Sequence, residues 1–207
     1  MKAIFGLLLA ALIAVAYIMS AGVYNMAATE KHWPVTEKLI EWMRINSIAA
    51  HANELTVPTM DEAELMVTGA LHYDAMCTGC HLAPGQEPTE LSQGLYPQAP
   101  VFHLRPPLTE SEDLQEQSKA YFWVIKNGIK MTAMPAWGLT HDDETIWAMA
   151  FFVQRLGNMP ASQYIKLTHD DEEHPHTHEQ KHEHKHEHDH IQDEEHDAEG
   201  SHHDSMH

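Results

Sequence analysis

Two thiols and an imidazole stand together in Cys77-Thr78-Gly79-Cys80-His81. Cysteines separated by two residues can reach the two vinyl groups of one porphyrin, and the histidine that follows falls beneath the iron as a proximal ligand. The pentapeptide reads as a covalent attachment site for haem c. A bare Cys-x-x-Cys also suits a redox dithiol or half of a zinc site. These are the only 2 cysteines of the chain, so a four-cysteine zinc site is excluded. No alternation of strands and helices surrounds the motif, as a thioredoxin-like dithiol would require. One covalent haem is predicted.

A second iron ligand is sought in Ile129-Lys130-Met131-Thr132-Ala133-Met134-Pro135-Ala136-Trp137-Gly138. Thioether sulfur is a soft ligand that suits haem iron and raises its potential. With 12 methionines in the chain, most serve as packing. Met134 stands apart because Pro135 keeps it out of helix and presents it from an extended loop. Met131 and His103 are the competitors, and Met134 is the expected sixth ligand.

These groups need a scaffold. Thr59-Met60-Asp61-Glu62 has the pattern of a capping box, and the helix it opens runs into the haem motif. Gly69, Tyr73 and Cys77 fall four apart on one face of that helix. A glycine there costs about 1 kcal/mol against alanine, so a closely approaching helix is expected, with Trp147 or Phe151 against Gly69 and Tyr73. Eight prolines and glycines between Pro84 and Pro107 exclude a long regular element. They predict a loop wrapping one side of the cofactor, in which the carbonyl of Pro84 or Pro97 accepts from the His81 ring. Thr109 to Gly128 reads as a second helix and Thr140 to Leu156 as a last one, with acids at their starts.

Upstream, residues 1–28 are apolar enough to cross a bilayer. The run continues beyond Ala14-Val15-Ala16, a pattern resembling a cleavage site, which favours an uncleaved anchor over a removed signal. Lys2 at one end directs the remainder across the membrane. Either reading places the haem domain outside the cytoplasmic membrane. Residues 29–58 form a juxtamembrane helix or linker. Its stripe of Val35, Leu39, Met43 and Ile48 is expected to pack on the haem domain, the alternative being Trp33 and Trp42 at headgroup level. Residues 59–168 form the domain, and 169–207 a tail.

The formal net charge is -19, unevenly spread. The tail holds 14 acids, 13 histidines and 2 lysines, a charge of -12. A basic face for nucleic acid is absent from this pattern. The tail carries too little apolar surface to fold, so disorder is expected. His174, His176 and His178 alternate with other residues, as do His182, His184, His186, His188 and His190. Neutral imidazoles beside carboxylates suit Zn²⁺, Ni²⁺ or Cu²⁺, against the plainer reading of a solvated acidic tail. Protonation near pH 6.5 carries the segment from -12 to about +1.

Gly69-x3-Tyr73-x3-Cys77-x2-Cys80-His81, then Asn127-Gly128 and Met134-Pro135-x-Trp137-Gly138, then an aromatic helix, resembles the class I c-type cytochromes, in particular membrane-anchored single-haem proteins of proteobacterial type. The resemblance spans about Asp61 to Tyr164. It implies a small all-α domain around one haem c, with His81 and Met134 as axial ligands, passing single electrons between a donor and an acceptor redox protein. The histidine tail and long proline loop lie outside the family pattern. Two other classes stay open. One is a peroxidase-like enzyme with an open sixth iron position; the other is a redox sensor or metal-handling protein centred on the tail.

Overall fold

A computed structural model describes residues 1–59, 61–106 and 112–169. The tail histidines proposed as metal ligands lie outside these residues, as does the expected helix start at Thr109. The described residues contain helices and no strand, the all-α class expected. In chain order the helices are α1 (Lys2–Ser20), α2 (Pro34–Ala52), α3 (Glu62–Met76), α4 (Thr78–His81), α5 (Glu90–Gly94), α6 (Glu112–Asn127), α7 (Asp143–Arg155) and α8 (Ala161–His169). Short 3₁₀ turns cover Phe102–Leu104 and Trp137–Leu139.

Local chemistry sets the helix ends. Pro34 opens α2, where its missing N–H costs nothing. Asp61 caps α3, its Oδ1 accepting from Ala63 N at 2.9 Å and Glu64 N at 3.1 Å. The capping-box pattern points instead to Thr59. A carboxylate directly before the first helical residue serves two free donors and adds charge at the positive end of the dipole. Asp142 caps α7 by accepting from Thr145 N at 2.8 Å. That hydrogen bond holds its carboxyl below the usual range. Gly128, at φ +66°, ends α6 and donates to Val124 O.

α7 is the centre of the domain. Ile146 to Ala150, Phe152 and Val153 are all buried, against α3 on one side and α6 on the other. Gly69 is where α3 meets it, but the neighbours are Ala148 and Phe152. Trp147 instead stacks on Phe122 of α6 with centroids 4.1 Å apart, and Phe151 lies under the Arg155 guanidinium. One helical step separates the expected residues from the observed ones, because crossing angle, absent from the sequence, chooses between adjacent positions on a broad apolar stripe.

α7 is also not the last helix. Pro160, which stops it, accepts the first hydrogen bonds of α8 from Gln163 N and Tyr164 N. The Tyr164 hydroxyl donates to Asp74 of α3 at 2.8 Å, and its ring joins a core with Tyr73, Phe102 and Phe152.

Candidate haem site

The motif begins where α3 ends. Cys77 N donates to Tyr73 O, and the N–H groups of Cys80 and His81 both return to Cys77 O, at 3.1 and 2.8 Å. This single turn sets the cysteines three apart, on one side of the backbone. Leu82 leaves it at φ 60°, a conformation that costs an ordinary residue energy. The buried Tyr73 hydroxyl holds it there by donating to Leu82 O at 2.8 Å. The phenol's pKa is raised, by burial above all. Burial, then the neighbouring Cys80, also pushes the Cys77 thiol up to about 12.

His81 is buried and fixed on two sides. Its Nδ1 lies 2.9 Å from the carbonyl oxygen of Pro100. A carbonyl only accepts, so Nδ1 carries the proton and Nε2 keeps its lone pair for a metal. Burial lowers the ring's pKa, as does Arg105, with the Pro100 carbonyl opposing. The neutral form is thereby favoured. Phe102 stacks on the ring at 4.7 Å and 23°, and the Arg105 guanidinium sits 4.8 Å over Phe102. The partner is Pro100, in place of the expected Pro84 or Pro97. The bond uses a backbone carbonyl, which every residue possesses, so side-chain identity does not single it out.

A tight loop delivers Met134. Ile129 N donates to Met134 O at 3.3 Å, while Met134 N donates to the Thr132 hydroxyl at 3.1 Å. Gly128 makes room: a Cβ there would lie 2.7 Å from Met134 O and 2.8 Å from the Pro135 carbonyl carbon. Met131 is 80 % exposed. Neither it nor His103 lines the cavity described next. His141 is likewise outside it, its Nδ1 beside the Thr140 hydroxyl.

Cys77, Cys80, His81 and Met134 all line one cavity of about 320 Å³. Its walls are mainly apolar, with Val124, Ile125, Trp137, Met149 and Val153 among them. Two thiols, an imidazole nitrogen with its lone pair free and a thioether converge on an apolar slot. That donor set fits haem c. Two further lining residues come from α2, which precedes the predicted domain: Arg44 and Ile48. Ile48 belonged to the expected apolar stripe. Arg44 was missed, since one arginine on an amphipathic helix carries no signal of its own. Among the described residues, Arg44 and Arg105 are the only charged side chains on the lining, in a chain of net charge -19.

An all-helical domain with this motif and this cavity has the features of a c-type cytochrome domain. Residues 64–153, from α3 through most of α7, match the family model described as cytochrome C oxidase, cbb3-type, subunit III. The match supports haem-based electron transfer by this domain. No curated protein and no solved structure matches the chain.

Proposed function

We propose that the protein passes single electrons between two redox proteins by way of one haem c, which Cys77 and Cys80 would hold through thioethers and which His81 Nε2 and Met134 Sδ would ligate. The observation that carries this reading is the presence of all four groups on one apolar cavity. When bound, haem supplies a one-electron iron couple. The chain's own residues do the rest. Pro100 orients the imidazole, the Gly128–Pro135 turn presents the thioether, and the apolar wall excludes water. Among the described lining residues there is no carboxylate. The test is the mass and spectrum of the purified holoprotein. Haem retained through acid–acetone extraction, with a low-spin spectrum, supports the carrier; a high-spin oxidised spectrum favours an enzyme or sensor with an open iron.

In this reading Arg44 and Arg105 would pair with the haem carboxylates. A nearby cation also disfavours the oxidised iron centre, which carries the greater positive charge. Replacing both arginines by alanine is expected to lower the reduction potential by on the order of 30 mV, the equivalent of about 0.7 kcal/mol for one electron. Spectroelectrochemical titration reads this directly. An unchanged potential would remove both from the site.

α1 supplies the membrane anchor in this reading. It is 19 residues long with none buried, about 29 Å at the usual helical rise, and it carries Lys2 as its single charge. The haem domain then lies on the periplasmic side. The tail adds a divalent-metal site on its alternating histidines, independent of the haem. Calorimetric titration with Zn²⁺, Ni²⁺ or Cu²⁺ is expected to lose most of its heat when residues 169–207 are deleted, with the haem potential unmoved. Equal uptake after deletion would place the metal elsewhere.

A further inference from the structure

α2 has two faces, and only one is used by the domain. Arg44 and Ile48 line the haem cavity, Ala52 is buried, and His51 stacks on Trp123 of α6 at 5.4 Å. Val35, Leu39, Trp42, Met43 and Ile45 are all exposed, Val35 by 71 % and Trp42 by 65 %. The expectation that Val35, Leu39 and Met43 pack on the domain is therefore not met. At 3.6 residues per turn these five side chains occupy an arc of about 160° on the side away from Ile48. Lys38 is the only charged residue within that arc, whereas Glu37 and Glu41 fall outside it.

We propose that this outer face of α2 lies on the surface of a phospholipid bilayer, with the haem cavity closed by the helix's other face. The proposal rests on α1 crossing that bilayer. Three observations choose lipid as the occupant. First, the connection is short. The Tyr24 hydroxyl and His32 Nδ1 are 2.7 Å apart, and the rings of Tyr24 and Trp33 are 4.9 Å apart. Residues 24 to 33 thus fold back on themselves, and only the four steps from Ser20 to Tyr24, at most about 14 Å of chain, separate the end of α1 from that cluster. α2 therefore begins beside the mouth of the span. Second, its apolar arc carries large side chains, with tryptophan among them, as interfacial helices do. Third, the charge in that arc is a lysine, whose long stem lets its ammonium reach anionic headgroups while its neighbours enter the acyl boundary. The haem site is thereby held at the membrane surface, which restricts its redox partners to proteins that present their own centre there.

The test uses the full-length holoprotein in vesicles of phosphatidylcholine and phosphatidylglycerol containing a phosphatidylcholine with a diazirine on its acyl chain. After irradiation, label is mapped by peptide mass spectrometry. Label is expected on α1 and on Val35, Leu39, Trp42 and Met43, at least fivefold above that on α3 and α7. The double variant Leu39→Glu, Met43→Glu is expected to lose the α2 label by a similar factor, with the α1 label and the haem spectrum unchanged. Label confined to α1 in the wild type overturns the proposal. Absence of label from α1 as well overturns the span and the proposal together, while the haem spectrum still judges the carrier reading separately.

Discussion

Met134→Ala is expected to abolish the near-infrared methionine-to-iron charge-transfer band and to lower the reduction potential by on the order of 0.1 V, a fraction of the roughly 0.8 V that axial ligands command. Thioether sulfur is neutral and soft, so it stabilises reduced iron over oxidised iron. Water or a harder side chain reverses that preference. The matched control is Met131→Ala. Met131 is three residues away but exposed and off the cavity, so its loss should leave band and potential in place. If the band survives in Met134→Ala and vanishes in Met131→Ala, the ligand has been misassigned. A band absent even from the unmutated protein points to an open iron and a different class of function.

Gly69→Ala is expected to destabilise the holoprotein by about 3 kcal/mol, near the upper end of overpacking penalties. For a domain of this size the midpoint of thermal unfolding should fall by roughly 10–20 °C. A Cβ at this position would lie 2.6 Å from Phe152 Cβ and closer still to the Ala148 carbonyl oxygen. Neither neighbour is a flexible tip: one is helical backbone and the other is the root of a fully buried ring. The helices must therefore separate, loosening α3 just before it delivers Cys77. The comparison is Gly94→Ala, where an added Cβ meets nothing within 4 Å and a change within about 0.5 kcal/mol is expected. Equal midpoints for the two variants, followed by circular dichroism, would show that the α3–α7 crossing tolerates the methyl group.

The effects differ in origin, and so does their legibility in the sequence. Gly69 marks a close crossing in the sequence alone, because a glycine inside a helix has a local cost that calls for a reason. The opposing residues differ by one position from those the sequence suggests, since Trp147 and Phe151 are the conspicuous side chains but Ala148 and Phe152 face α3. The Asp61 cap shows the same pattern. The helix start was marked, but the choice between a hydroxyl and a carboxylate two residues later rests on backbone geometry. α8 went unseen because Pro160 reads as a stop and also serves as a start.

What the sequence determined by itself is the local chemistry: a thiol pair and imidazole at haem spacing, a methionine beside a proline, helical periodicity, and an apolar stretch of spanning length. Each depends on residues within a few positions of one another, so order along the chain is enough to express it. The tertiary structure decided which groups meet across long separations. It set Pro100 against His81 Nδ1, brought Arg44 and Ile48 from α2 to the cavity, and left the other side of that helix bare. A backbone carbonyl is common to every residue, and an amphipathic helix can turn either face inward. Only packing in three dimensions selects among such equivalents.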